Sequence, residues 1–296
     1  MTWAAVPERT IATAFEVLHS RNVPTEAERS AAVRHRASIE KSLSALENFG
    51  LRETGSFRHA TAVRGHSDVD VLVSLAGGRP ASSDTALDRV RLALTSSFPY
   101  TTIRVSRPAV AVNFAGGNER WEIIPGYYQR ASGDHAIYSI PAPGGGWMET
   151  APTAHLAYVT DVNRSPSGGA KGLARLLKTW KYANPGQAKV SSFYLEMRAA
   201  QRMAGESSFI PHLDFAYSMN SLVRHGLSDM NDPTGLTGRI RATSTESYRS
   251  AAVAALASDA KRVADAIDLE TAGRRADAFA KLAYVFVGTT FPAQFY

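Results

Sequence analysis

The sequence predicts a two-lobed α+β protein, in which a lobe built on a mixed β-sheet precedes a lobe of packed helices. The chain has 296 residues, about twice the length of a typical single domain. Hydrophobic residues alternate in parts of the first half and recur every three to four positions in nearly all of the second. Glycine and proline are concentrated between residues 126 and 150, so we place the lobes at 1–150 and 151–296.

Composition limits what the chain can be. Hydrophobic residues make up 44% and charged residues 20% of it, which is typical of a globular protein and not of a disordered one. The sequence has no cysteine, which excludes disulfides, thiolate nucleophiles and cysteine-ligated metals. A formal charge of +6 and a pI near 9.6 favour anionic partners such as nucleotides, nucleic acid or a membrane surface. We see neither a secretion signal nor a membrane-spanning stretch and expect a cytoplasmic protein.

The first lobe is predicted to open with a helix and to continue into strands. Thr25 and Glu28 have the spacing of a capping box, and the helix that they start is expected to run to about Asn48 as the N-terminal spine of the lobe. Gly50 then permits a turn into a strand. The other predicted elements are a strand at 69–73, a helix at 83–97, and strands at 101–105, 110–114 and 121–124. Gly116-Gly117-Asn118 predicts the hairpin turn before the last of these strands.

A loop and then a series of helices are predicted for the remainder. Pro141, Pro143 and the run Gly144-Gly145-Gly146 oppose long regular elements, so residues 126–150 are interpreted as the loop that joins the lobes. The predicted helices of the second lobe are 153–163, 169–183, 191–204, 211–225, 244–268 and 272–287. A turn-rich loop surrounds Asp232-Pro233.

The residues that could carry chemistry are concentrated in segment 55–73. Asp68 and Asp70 lie two positions apart on a predicted strand, so their side chains project from the same face. Adjacent carboxylates repel unless a cation lies between them, and Mg²⁺ is the hard cation that takes both carboxylate and phosphate oxygens. Gly55 and Ser56 precede them, and a glycine lets the backbone approach a polyphosphate to which a serine can donate.

A third carboxylate would complete a site for two metal ions, which together clamp the attacking and leaving oxygens of an in-line displacement. Glu122 is the best candidate, because the hairpin can place its strand beside the strand of the two aspartates and alternation turns it away from Trp121. Glu119 is nearer the turn and is a poorer choice. For an isolated Asp-x-Asp, a solvated strand end is the usual alternative; the joint pattern favours a metal and nucleotide site.

With these residues in place, the sequence resembles the polymerase-beta-like nucleotidyltransferases and, within them, the CD-NTases, the bacterial relatives of cyclic GMP-AMP synthase. Segments 174–181 and 191–196 look like the two helices that in this family close over the donor nucleotide. The Asn231-Asp232-Pro233 loop and the spine helix also fit. The resemblance implies a polymerase-beta-like fold, with a catalytic lobe at 1–150 and, at 151–296, a helical lobe that closes over the nucleotides.

The resemblance also implies roles for individual residues. Two Mg²⁺ ions, which Mn²⁺ can replace, would be held by Asp68, Asp70 and Glu122. Donor phosphates would be bound by Gly55, Ser56, Lys178 and Ser192. Phe193 would stack on the donor base, with a place in the hydrophobic core as the alternative. The third acid of the superfamily is often Asp, and Glu122 is one methylene longer.

The pattern of the basic helix supports some of these roles independently. On a helical wheel Lys171, Arg175 and Lys178 lie within about 60° of one another, opposite a stripe of leucines. Residues 161–205 contain eight Lys or Arg and two Asp or Glu, so the excess positive charge of the chain lies on these helices. A solvated basic face is the alternative. Ser192 lies at a helix start, where free amides bind phosphate, and either Ser191 or Ser192 is expected to be the N-cap.

One function and two alternatives follow. We expect a Mg²⁺-dependent nucleotidyltransferase that joins nucleoside triphosphates, ATP and GTP ahead of pyrimidine nucleotides, into a cyclic di- or trinucleotide second messenger and releases pyrophosphate. The resemblance implies bacterial antiphage (CBASS) signalling, with a product that acts on a separate effector protein, and an enzyme that is monomeric and needs neither nucleic acid nor a membrane. The alternatives are transfer of one nucleotide to a small-molecule or RNA acceptor, and a catalytically inactive nucleotide or nucleic-acid sensor.

Overall fold

The computed structural model describes residues 9–28, 30, 35–66, 68–114, 120–166 and 168–292. The chain divides into two compact units. One comprises 24–161 with 230–240 and is called the sheet unit below. The other comprises 1–23, 162–229 and 241–296 and is called the helical unit.

The sheet unit is built on a mixed seven-stranded sheet. Its strands are β1 (Asn48–Thr54), β2 (Val69–Leu75), β3 (Thr102–Ser106), β4 (Ala109–Asn113), β5 (Arg120–Ser132), β6 (His135–Pro141) and β7 (Trp147–Thr150). The order is β1-β2-β5-β4-β3, and β6 pairs with both β5 and β7. Strands β2 and β5 run parallel, and the other pairs are antiparallel. The mixed sheet and the helical regions confirm the predicted α+β class.

Helices cover one face of this sheet. The described helices of the chain are α1 (Ile11–Arg21), α2 (Arg36–Leu43), α3 (Gly55–Arg58), α4 (Ser83–Ser97), α5 (Pro152–Arg164), α6 (Ala170–Ala183), α7 (Ser192–Met203), α8 (Pro211–Arg224), α9 (Glu246–Thr271) and α10 (Arg275–Val285). Helix α4 begins at its N-cap Ser82, whose side chain accepts from the Asp84 amide. Its apolar residues, which include Leu87 and Val90, pack with Val71 of β2 in the main core of the unit.

Strands occupy the region that was predicted to be a loop between the lobes. Strand β5 continues through Pro125 to Ser132, and β6 and β7 follow, so the loop prediction for 126–150 was wrong. The glycines mark tight turns between strands: Gly133 has a φ of +55° in the two-residue connection from β5 to β6. Ala142 donates its amide to the Gly146 carbonyl across the next turn. Local composition indicated the turns, but pairing with neighbouring strands determines whether the segments between the turns are extended.

The spine helix is shorter than predicted. Residues 26–28 and 30 are helical, and the capping box is confirmed, since Thr25 N donates to Glu28 Oε2 at 2.7 Å and Glu28 N to Thr25 Oγ1 at 3.2 Å. Helix α2, however, ends at Leu43, and β1 begins at residue 48. Gly50, with a φ of +91°, lies within β1 where its register shifts. The predicted turn at 116–118 lies outside the described residues, although β4 and β5 pair as a hairpin.

The helical unit contains α1 and the helices from α6 to α10. The helices predicted for the second half of the chain are confirmed to within three residues at each end. The two units do not coincide with the predicted lobes at 1–150 and 151–296, because α1 packs on α6 and α8, where Phe15 contacts Phe215. Long-range packing of this kind cannot be predicted from the local spacing of hydrophobic residues. Among the described helices, none combines the length and the apolar character that crossing a bilayer requires.

Candidate active site

The acidic residues lie on the face of the sheet that is opposite to the main core. Asp70 and Glu122 are aligned partners across the parallel strands β2 and β5. Val71 and Ile123, their neighbours along the two strands, are fully buried on the core side. Asp68 precedes Asp70 by two positions, just before β2 begins. The structure therefore places Asp70 and Glu122 on one face of the sheet, as strand alternation predicted, with Asp68 directly before β2.

Gly55 lies directly against Asp70. It follows β1 at the point where Thr54 pairs with Asp70, and its φ is +66°. A Cβ atom at this position would lie 1.8 Å from Asp70 Oδ2, so only glycine fits. The sequence predicted that Gly55 lets the backbone approach a polyphosphate. In the structure, the group that lies close to Gly55 is the Asp70 carboxylate. Ser56 follows in the short helix α3, and its carbonyl accepts from Thr61 N at 2.9 Å. Phosphate binding by Gly55 and Ser56 stays a prediction.

An arginine that the sequence analysis did not single out joins the acids. Arg120, the first residue of β5, hydrogen-bonds the Glu122 carboxylate through Nη2. Its Nε also lies 3.5 Å from Asp68 Oδ2. Because residues two positions apart on a strand share a face, the Arg-x-Glu spacing was the signal that could have revealed it.

The acid face supplies the type of ligand that a hard divalent cation takes. Carboxylate oxygens on adjacent strands are the ligands that Mg²⁺ takes in proteins. As the side chains stand, no three acidic or histidine residues in the described part of the chain are arranged to hold a metal ion. Two of the acids, Asp68 and Glu122, contact Arg120 instead. The donor set therefore fits Mg²⁺ once the guanidinium releases them, and metal binding by the three acids stays a prediction.

In the helical unit, Lys178 is buried in an ion pair. Its Nζ donates to Glu196 Oε2 at 2.6 Å, joining α6 to α7, and the two side chains are 2% and 3% exposed. The predicted cationic face of α6 therefore holds for Lys171 and Arg175, which are partly exposed, and not for Lys178. Contact of Lys178 with a triphosphate stays a prediction, and the ion pair with Glu196 argues against that contact.

Lys181, one turn further along α6, contacts the serine that was predicted to bind phosphate. Its Nζ donates to Ser192 Oγ at 2.6 Å. Ser191 is the N-cap of α7, accepting from the Tyr194 amide at 3.2 Å, so Ser192 does not serve as the cap. Phe193 is partly exposed and does not belong to the buried core, which leaves stacking on a base open to it. Sequence reasoning missed Lys181 because which of two lysines on one helix is buried depends on packing.

The remaining basic residues of α6 lie close to other cations. Burial lowers the pKa of Lys171, and the charges of Arg164 and Arg175 lower it further. Arg175 Nη1 donates to His19 Nε2 at 2.8 Å, and burial followed by the Arg175 charge lowers the pKa of His19. Cations that repel one another in this way are stabilised by an anion. This part of the helical unit suits a polyphosphate.

In the sheet unit, a buried carboxylate holds the loop at residues 230–240. Asp232 Oδ2 lies 3.3 Å from His155 Nε2 on α5, and both side chains are almost fully buried. The same oxygen accepts from the Thr234 and Thr237 hydroxyls at 2.7 Å each. Burial alone would raise the pKa of Asp232, but His155 and the threonines outweigh it and hold that pKa far below its usual range. Asp232 therefore has a structural role in this loop.

Comparison with known proteins places these features in context. The family model described as "Second Messenger Oligonucleotide or Dinucleotide Synthetase domain" matches residues 10–163, just over half of the chain. The sequence is 28% identical over 159 residues to a cyclic AMP-AMP-AMP synthase of Acinetobacter sp. (strain ATCC 27244 / 9458), covering 51% of this chain and 45% of that protein. It is 27% identical over 184 residues to a cyclic AMP-AMP-AMP synthase of Escherichia coli (strain MS 115-1), covering 58% and 57%. The chain thus spans about half the length of these curated relatives.

Solved structures share the fold over almost the whole chain. E. coli MS115-1 CdnC, solved with ATP, has a TM-score of 0.74 at 19% identity and covers 95% of this chain and 100% of its own. The Bradyrhizobium diazoefficiens CD-NTase CdnG, solved with GTP, has a TM-score of 0.69 at 12% identity and covers 95% and 99%. Vibrio cholerae DncV, a cyclic AMP-GMP synthase solved with a linear intermediate, has a TM-score of 0.64 at 10% identity and covers 95% and 87%. At these identities the likeness shows the polymerase-beta-like fold of this group.

Proposed function

Because this chain belongs to the CD-NTase family, we propose that it is a nucleotidyltransferase that makes a cyclic oligonucleotide from nucleoside triphosphates and releases pyrophosphate. The observation that carries the proposal is the register of β2 and β5, which aligns Asp70 with Glu122 on one face of the sheet. Asp68 lies two positions earlier on that face. An inactive sensor would have no need of three acids placed in this way.

The relatives indicate the substrates. Two similar proteins are cyclic AMP-AMP-AMP synthases, and proteins of the same fold have been solved with ATP and with GTP. We therefore propose nucleoside triphosphates as substrates, with ATP first and a cyclic trinucleotide as the first product to look for. A cyclic dinucleotide is the second product that fits, since a similar fold belongs to a cyclic AMP-GMP synthase.

We propose that Asp68, Asp70 and Glu122 bind two Mg²⁺ ions. Ions held there would supply Lewis-acid chemistry at the α-phosphate, which would favour the ionised form of an attacking ribose hydroxyl and stabilise the leaving pyrophosphate. Asp70 is supported from behind by Gly55, whose lack of a side chain lets the carboxylate lie against the backbone. This contact fixes the position of one of the ligands.

Phosphate binding is proposed for basic and hydroxyl groups at the start of α7 and along α6. Lys181 and Ser192 already contact each other, and both are partly exposed. Lys171 and Arg175 add positive charge on the same helix as Lys181. Phe193, next to Ser192, is the proposed stacking partner of the donor base.

The biological role rests on the family alone. We propose that the product acts on a separate effector protein in bacterial antiphage (CBASS) signalling, as expected for a CD-NTase. Transfer of a single nucleotide to a small-molecule or RNA acceptor is the alternative that uses the same acids, and the experiment below distinguishes it.

The test is incubation of the protein with Mg²⁺ or Mn²⁺ and α-labelled nucleoside triphosphates, followed by phosphatase. A phosphatase-resistant product is expected from the wild type and from Asp88→Asn, which changes an exposed acid on α4. It should be lost in Asp70→Asn. Label on an acceptor or on a linear, phosphatase-sensitive product would indicate simple transfer instead. Absence of any product from the wild type with either metal would favour a sensor.

A further inference from the structure

The acid face of the sheet holds a positive charge of its own. Arg120 hydrogen-bonds Glu122 and lies within ion-pair distance of Asp68. All three side chains are partly buried, with exposed fractions of 35% for Arg120, 21% for Glu122 and 32% for Asp68. Water screens such charges only in part, so the guanidinium relieves much of the repulsion between the carboxylates.

The guanidinium binds the two acids unequally. Its Nη2 makes the hydrogen bond to Glu122, whereas its Nε is buried and has no hydrogen-bond partner among the described residues. The distance of 3.5 Å from Nε to Asp68 Oδ2 allows charge attraction but not a good hydrogen bond. A buried donor left without a partner is unfavourable. The arginine is therefore held firmly at Glu122 and weakly at Asp68.

A divalent cation at this site would bind the same carboxylates. Mg²⁺ and Mn²⁺ bind carboxylates directly and at short distances, and an oxygen that accepts from a guanidinium is less available as their ligand. A guanidinium also repels a divalent cation a few ångströms away. The hydrogen bond from Arg120 to Glu122 and the binding of a cation by Glu122 therefore weaken each other.

From this geometry we propose that Arg120 is a positioning residue that competes with the divalent cation for Glu122 and Asp68. It holds the two acids in place when no metal is bound. It also sets the concentration of free metal ion at which the two acids become metal-bound. The inference rests on the proposed function, because it takes these acids to be the metal ligands. The inference goes beyond that function because it attributes control of the metal affinity to Arg120, which is not itself a ligand.

The test is titration of the protein with Mn²⁺ alone, with free Mn²⁺ followed by electron paramagnetic resonance. Arg120→Gln is expected to bind Mn²⁺ about tenfold more tightly than the wild type, since it frees two carboxylates from a partly exposed ion pair. Arg120→Lys keeps the charge and is expected to bind close to the wild type. Arg104→Gln, which removes an exposed arginine from β3 of the same sheet, controls for the change in net charge and should leave the affinity unchanged.

A second measurement reports on the metal-free protein. In EDTA the melting temperature of Arg120→Gln should be lower than that of Arg104→Gln, because the variant loses the guanidinium that contacts Glu122 and Asp68; Mg²⁺ should restore it. Equal Mn²⁺ affinity of Arg120→Gln and wild type, or a gain matched by Arg104→Gln, would overturn the role of Arg120 and leave the metal site standing. No Mn²⁺ binding by any of these proteins would overturn both proposals.

Discussion

The position of the Asp70 side chain depends on Gly55, the residue against which it packs. Gly55 combines a φ of +66° with a position at which an added Cβ would collide with the Asp70 carboxylate. Any side chain at this position has to displace the side chain of Asp70, the residue that the register of β2 and β5 aligns with Glu122. A single glycine thus connects the end of β1 to the placement of an acid on β2.

Gly55→Ala is therefore expected to lower product formation by at least about tenfold, because it moves the carboxylate of Asp70, a proposed metal ligand, by more than catalysis tolerates. Gly77→Ala is the matched control, since Gly77 has a φ of +76° and a Cβ added there would have no other atom within 4 Å. Both changes share a backbone penalty of about 1 to 2 kcal/mol. Initial rates and melting temperatures check this: equal loss of rate in the two variants would contradict a contact with Asp70.

Glu122 tests whether a carboxylate on β5 is required in itself. Glu122→Gln removes the charge at almost unchanged size and is expected to lower product formation by about 100-fold. Glu122→Asp keeps a carboxylate on the same face of the strand, so at least a tenth of the activity should remain. Initial rates across a Mg²⁺ series measure both. A fully active Glu122→Gln would remove this residue from the site.

At the scale of elements, α6 and α7 are joined by a buried charge pair. Lys178→Met leaves Glu196 buried without its partner and is expected to destabilise the protein by about 3 to 5 kcal/mol. The double variant Lys178→Met with Glu196→Met should recover most of that stability, because no unpaired charge remains. Urea unfolding of the two variants measures the difference.

Lys181→Met is the matched comparison, since it changes a partly exposed lysine on the same helix that contacts Ser192. It is expected to weaken ATP binding with little loss of stability. If instead Lys178→Met unfolds like the wild type and loses ATP affinity, Lys178 and not Lys181 is the phosphate-binding lysine.

The loop at 230–240 depends on the buried Asp232. Asp232→Asn is expected to cost about 1 to 3 kcal/mol at neutral pH, because buried donors lose a charged acceptor. The pKa of Asp232 is lowered in the folded protein, so its contribution is complete above its unfolded value near pH 4 and declines as the pH falls below it. The gap in melting temperature between wild type and Asp232→Asn should therefore narrow from about pH 6 to pH 3. A gap that is constant over this range would contradict a lowered pKa.

Elements specified by local pattern could be predicted from the sequence. Helix α4 was predicted with its observed ends, and strand alternation placed Asp70 and Glu122 on one face. What depends on contacts between elements could not be predicted. The turns around Gly133 and Gly146 are local, but β6, which lies between them, forms through its pairing with β5 and β7. Likewise, Lys178 follows the basic period of its helix, and only its neighbour Glu196 on α7 shows that it is buried.

At the scale of the whole molecule, the charge follows the division of the fold. Segment 161–205 contains eight basic and two acidic residues. Almost all of this segment belongs to the helical unit. The three acids that we propose as metal ligands belong to the sheet unit. The proposed metal ligands and the excess of positive charge therefore belong to different units.

Mass spectrometry of the phosphatase-resistant product shows whether this chain makes a cyclic oligonucleotide. With all four nucleoside triphosphates and Mg²⁺ present, we expect a species whose mass equals a whole number of nucleoside monophosphates less one water for each. Such a mass means that every phosphate is a diester and that no end remains. A product with a free terminal phosphate or hydroxyl, or nucleotide attached to an acceptor, would contradict the assignment of this chain as a cyclic oligonucleotide synthase.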